Sequence, residues 1–397
     1  MGSVRPGTTA GNHQGLDLKV LTRRRFLRAL ASAGAVLPLA AALAACGGED
    51  EPASTTSPTS AATASPGTTQ EAAATPTTAG TTATAEATGT SGVFPVTVEH
   101  KFGTTEIPEE PERVVTIGFS EQDPVLALGV KPVAVREWFG NQPYAVWPWA
   151  QDELGDATPQ VLVMPYGELD FETIAALRPD VIIATHSGVT EDEYTRLSQI
   201  APTVAQSGDY PDFGMPWQEQ TRVIGRALGR EAVAEERIAQ VEAAIAEAAS
   251  AHAEFAGATI AWASPSGDGQ FWAVGPNTPP MRFLISLGFV VPDDLAKVVG
   301  DLDSAQISKE QINLLDTDVL IMQTDTPEQR SAIEADPLYQ QLRVSREGRT
   351  IFFERSDDPI YGALSFSTVL SLPYLVERLV PLLAAAVDGD PSTEATS

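Results

Sequence analysis

The chain has 397 residues, with 53 Asp and Glu against 25 Lys and Arg, and a formal net charge of −28. So acidic a chain repels polyphosphate backbones, which argues against nucleic acid as a partner. A single cysteine excludes a disulfide framework and a CxxC metal knuckle, and the length leaves room for a leader and two domains.

Residues 1–46 read as the leader. Thr22-Arg23-Arg24-Arg25-Phe26-Leu27-Arg28 has the form of a twin-arginine export signal. Residues 29–45 are uncharged, mostly Ala and Leu, and broken by Pro38; they are too short and too weakly apolar for a stable membrane span. They end in Leu43-Ala44-Ala45-Cys46-Gly47, the form of a lipobox, whose Cys is acylated and becomes the mature N-terminus. Residues 47–92 are mostly Thr, Ala, Ser, Pro and Gly, with five acidic residues and no aromatic side chain. Such a tether cannot bury enough surface to offset its ordering entropy, so disorder is expected. As a flexible coil it would reach about 35–40 Å. The expected product is an exported protein, lipid-anchored on the outer face of the cytoplasmic membrane, with the anchor as its only hold on the bilayer. Leader and tether charges cancel, so the body from Val93 onward carries the whole −28.

The body opens with an alternating strand at 96–102, a Pro-rich turn at 107–113 and an apolar strand at 114–117. A helix carrying Pro124, Leu126 and Leu128 stops at Gly129, and 131–135 is the next strand. Strand, helix, strand at this spacing is a βαβ unit in a parallel sheet. Further strands are expected at 200–204, 258–262, 271–274 and 351–353, a loop at 263–270, and helices at 280–287 and 370–385. Residues 231–255, rich in Ala and Glu with Ile238, Val241 and Ile245 on one face, read as one stiff helix of about 37 Å.

One stretch returns. Residues 171–185, FETIAALRPDVIIAT, share their grammar with 309–323, KEQINLLDTDVLIMQ: pairing Glu172 with Glu310 also pairs Ile174 with Ile312, Leu177 with Leu315, Asp180 with Asp318 and Val181 with Val319. A short helix feeding a wholly apolar strand is the unit of an α/β layer. Two in register predict an α/β fold of two lobes of like topology: 93–229, a connecting helix at 230–255, and 256–389, followed by a disordered tail at 390–397.

Ligands of such sheets bind beyond the carboxyl ends of strands. Residues 136–149, directly after a strand, hold three Trp, a Phe, a Tyr and an Arg in a loop broken by Pro and Gly. The expected ligand-binding residues are Arg136, Trp138, Tyr166, Ser187, Trp217, Trp272, Arg355 and Tyr361, most of them in segments that read as loops beyond strand ends. Arg136 and Arg355 lean towards an anionic or oxygen-rich ligand, although a lone Arg also suits a surface ion pair. His100, His186 and His252 are scattered, so an imidazole-rich metal cage is not expected. No GxSxG elbow, GxxxxGK loop or GxGxxG is present, and an enzyme is not expected.

GTTEIPEEPERVV (103–115), LALGVKPV (126–133) and LRPDVII (177–183), in this order, resemble the substrate-binding proteins of iron–siderophore and vitamin B12 ABC importers. The resemblance runs from about His100 to Leu383. It implies two Rossmann-like lobes joined by one long rigid helix, with the ligand in a cleft between them and Tyr166 facing that cleft. It implies a ferric siderophore, an iron-chelate complex, as ligand and no cofactor of the protein's own; cobalamin, haem or a non-transport sensor or adhesin role are the alternatives. It also implies a monomer that meets an ABC permease dimer with its ATPase. Glu172 and Glu310 fall on the family's permease-docking positions, while the helix macrodipole alone also favours Glu at a helix start.

Overall fold

The computed structural model describes residues 93–267, 269–354, 358–390 and 392. The leader with Cys46, the tether, Arg355 and most of the 390–397 tail lie outside the described residues.

The body opens on a two-stranded antiparallel hairpin, β1 (Val96–His100) and β2 (Gly103–Ile107). Two five-stranded sheets follow. The first contains β3 (Val114–Thr116), β4 (Ala134–Arg136), β5 (Gln160–Leu162), β6 (Val181–Ala184) and β7 (Thr203–Ala205), all parallel, in the order β5-β4-β3-β6-β7. The second contains β8 (Ile260–Gly267), β9 (Gln270–Val274), β10 (Ser304–Ile307), β11 (Val319–Thr324) and β12 (Thr350–Glu354), in the order β10-β9-β8-β11-β12.

The order is the same in both sheets, and the two repeat strands, β6 and β11, occupy the same fourth position. Asp180 and Asp318 explain why Asp opens each. Asp180 accepts the backbone N–H groups of Glu112 and Arg113, at the entry to β3; Asp318 accepts the N–H and hydroxyl of Thr259, at the entry to β8. Each carboxylate ties the repeat strand to the strand that comes first along the chain in its own sheet. In β6, Val181 and Ile183 join one apolar cluster and Ile182 and Ala184 another; Val319 and Ile321 part from Leu320 and Met322 in the same way. Both strands are therefore covered on both faces, which is why they carry no polar residue in alternation.

One expectation needs correction. The loop expected at 263–270 is largely strand: β8 runs to Gly267 and turns back as β9, so β9 and β10 pair antiparallel where β4 and β5 are parallel. The short helix of the second repeat unit, Lys309–Leu315, is a 3-10 helix with a capping box between Ser308 and Gln311.

The helices that frame the cleft are α1 (Gln122–Ala127), α2 (Phe171–Ala176), α3 (Trp217–Ala227), α4 (Glu231–Ala251), α5 (Pro279–Ser286), α6 (Pro359–Phe366) and α7 (Ser371–Asp388). Helix α4 has 21 residues, about 31 Å; it ends sooner than the composition suggests because Ala253–Phe255 tightens into a 3-10 turn. Its Ala234 packs in the core of the first lobe and its Val241, Ile245 and Ala248 in the core of the second. No helix among the described residues is long and apolar enough to cross a membrane.

Candidate functional site

The carboxyl ends of the first sheet bring together side chains far apart in sequence. Phe119 leaves β3 and lies at the centre of an aromatic cluster. Its ring centroid is 5.5 Å from Trp138, 6.2 Å from Tyr166 and 6.1 Å from Phe213. Phe213 meets Tyr166 at 5.9 Å and the His186 ring, edge to face, at 5.1 Å. The cluster crosses to the second lobe: Trp138 reaches Phe366 at 5.2 Å, Phe139 reaches Tyr361 at 5.9 Å, and Tyr361 reaches Trp262 at 6.1 Å. Trp138, Phe139, Tyr166, His186 and Phe213 are half-buried, so the tract offers ring faces and edges to whatever enters between the lobes.

Beneath the rings lies a charged floor. Arg136 is 1% exposed and its guanidinium is 4.5 Å from the Phe119 ring centre. It donates to the carbonyls of Ile117 (3.0 Å), Met164 (3.2 and 2.9 Å) and Pro165 (2.8 Å). These bonds stitch β3, β4 and β5 together at their ends. Burial pushes Arg136 down to about 10, with the charge of Glu121 opposing the shift.

Glu121 is fully buried; it accepts the His186 N–H at 2.7 Å and the Ser120 N–H at 3.2 Å. Burial raises its carboxyl to about 7 against those hydrogen bonds and the Arg136 charge. Burial also holds His186 at about 4, so the imidazole is neutral at pH 7. Glu121 fits only because residue 118 is glycine: a Cβ there would lie 1.9 Å from Glu121 Oε1. Gly118→Ala is therefore expected to expel the carboxylate from the His186 N–H and cost about 1–3 kcal/mol, read by urea unfolding; an unchanged midpoint would refute the fit.

The expected site residues separate. Trp138, Tyr166 and Tyr361 belong to the aromatic tract, and Arg136 to its floor, where its donors hold backbone carbonyls. Ser187 is buried at the end of β6; its hydroxyl donates to Ala184 O at 2.7 Å and accepts the Val189 N–H, which fixes the turn. Trp217 opens α3 and lines a cavity of about 490 Å³ with Glu242, Ile245, Arg282 and Phe283. Trp272 is half-buried on β9, between Ser264 of β8 and Gln306 of β10. Glu172 and Glu310 are exposed in the first turns of their helices, one on each lobe. Phe119, Phe213, Phe366 and Glu121 escaped the sequence reading. Phe119 was within reach of it, because Gly118-Phe119 follows an apolar strand directly; the others depend on packing between distant segments. No group of three or more His, Cys, Asp and Glu among the described residues could hold a metal ion.

Residues 115–355 match the family of periplasmic binding proteins. The ferric-anguibactin-binding protein FatB of Vibrio anguillarum is 25% identical over 311 residues, which cover 72% of this chain and 87% of that one. Among solved structures, a periplasmic solute-binding protein of Mycobacterium smegmatis aligns with a TM-score of 0.66 at 39% identity, covering 74% of this chain and 98% of that one. PiaA of Streptococcus pneumoniae, in complex with ferrichrome, aligns with a TM-score of 0.65 at 27% identity, covering 74% of this chain and 99% of that one.

Proposed function

The chain belongs to the periplasmic binding protein family, and from that premise we propose that it captures a ferric siderophore between its lobes and delivers it to an ABC importer. The observation that carries this reading is the aromatic tract from Tyr166 to Trp262, which runs from the carboxyl ends of the first sheet to α6 and β8 of the second lobe. A metal already wrapped in an organic chelator needs ring surfaces and a few polar groups rather than protein ligands. The ferrichrome complex of PiaA and the name of FatB support the same class of solute.

The leader supports the setting: a twin-arginine signal, a lipobox closing on Cys46 and a polar tether together describe a monomer held to the membrane by lipid, with its body free to meet a permease. Glu172 and Glu310 are the proposed docking pair. Exposed charges on a rim orient and steer a partner more than they add affinity. The double variant Glu172→Ala/Glu310→Ala is expected to keep ligand affinity within about twofold and to slow uptake into cells roughly tenfold. Uptake at the unaltered rate would remove the docking assignment. Deleting the cognate permease is expected to abolish uptake; uptake that survives would refute the delivery role and favour a sensor or adhesin.

A further inference from the structure

Resting on the siderophore reading, we propose that the chelate taken by this cleft carries no net charge, as a ferric trihydroxamate does, in preference to an anionic catecholate or carboxylate chelate. The sequence alone pointed the other way, through Arg136. In the folded protein that cation is engaged: its donors meet three backbone carbonyls beneath Phe119, and the Glu121 carboxyl acts on it electrostatically. The neighbouring cations are engaged as well. Arg282 of α5 reaches across to the first lobe and donates to Gly214 O at 2.8 Å. Lys101 pairs with Asp212 at 2.6 Å, next to Phe213.

Along the aromatic tract, ring surface and neutral polar groups remain to face a ligand. The His186 imidazole is uncharged at pH 7, and the buried Trp262 Nε1, beside Tyr361, has no hydrogen-bond partner. Three hydroxamate monoanions cancel the charge of Fe³⁺, and the complex presents carbonyl oxygens and an apolar framework suited to such a lining. Three catecholate dianions leave a trianion. That trianion would have to be desolvated against rings and the Glu121 floor, where Arg136, Arg282 and Lys101 are already engaged, a cost that only good ion pairing repays. The body's charge of −28 adds long-range repulsion to the approach of any anion.

The test is titration of the purified full-length protein with ferrichrome, ferric enterobactin and ferric citrate, followed through tryptophan emission. Ferrichrome is expected to bind about 100-fold more tightly than either anionic chelate, with a Kd that does not move between about 50 and 500 mM salt, since no charge pair is made. Equal or tighter binding of enterobactin or citrate would overturn the assignment, as would a ferrichrome Kd that weakens with salt. Silence towards all three chelates would instead remove the siderophore reading on which the assignment stands.

Discussion

Replacing Asp123 by Asn is expected to stabilise the protein at pH 8 by up to about 4 kcal/mol and to leave it nearly unchanged at pH 4. Asp123 lies in α1 with no exposed surface. One carboxyl oxygen, Oδ2, accepts the Trp149 indole N–H at 2.8 Å and the Thr368 hydroxyl at 2.5 Å; the other, Oδ1, has no partner. Thr368 belongs to the second lobe, between α6 and α7, so the carboxyl is one of the groups that join the halves. Burial raises its pKa from 3.8 to about 7, more than the two hydrogen bonds lower it.

A carboxyl whose folded pKa lies above its unfolded value keeps its proton longer in the native state. Its contribution to stability is therefore greatest below about pH 4 and is lost as the pH rises through about 7. Glu121 titrates in the same sense, from 4.5 to about 7. His186, lowered from 6.5 to about 4, acts in the opposite sense and gains stability as the pH rises. The unaltered protein thus shows a composite curve, and the difference between it and the Asn variant isolates Asp123. Urea unfolding at pH 4, 6 and 8 gives that difference. A gap that does not widen with pH would show that the carboxyl is not the buried acid described here.

Trp147→Ala is expected to destabilise the protein by about 3–5 kcal/mol. Trp147 is 1% exposed and the largest fully buried side chain among the described residues. Its indole stacks on Trp149 at 5.1 Å and 10° and meets Phe139 and Phe366 edge-on, at 5.3 and 6.1 Å. Two glycines admit it, one from each lobe: a Cβ on Gly140 would lie 2.4 Å from the indole, and one on Gly362 would lie 2.7 Å from it. The indole is a wedge between the halves. A fall of roughly 10 °C in Tm, with partial recovery in Trp147→Phe, fits a packing role. If Tm held and only ligand affinity fell, the side chain would be a lid over the cleft.

Much of the fold was written locally. The Asp-Val pairs at 180–181 and 318–319, each opening a run covered on both faces, announce two like units, because strand burial and helix length are set by residues adjacent in sequence. The same holds for the Ala- and Glu-rich stretch that becomes α4. What local pattern could not convey was direction and orientation. A hairpin closing at Gly267 reverses β9 alone, which therefore lies antiparallel to both β8 and β10. Trp138 and Trp147 stand in one loop with the same chemistry, yet one is half-buried in the aromatic tract and the other is fully buried between the lobes.

Residues 136 and 123 mark the limit most clearly. An Arg after a strand reads as a ligand contact until the carbonyls of Ile117, Met164 and Pro165 are placed around it, and nothing near Asp123 in the sequence announces its partner Thr368, 245 residues away. The sequence by itself determined the doubled α/β plan and the family. Only the tertiary structure decided which charges are engaged and which rings pack together between the lobes, because a side chain's partners are set by segments that meet only after folding.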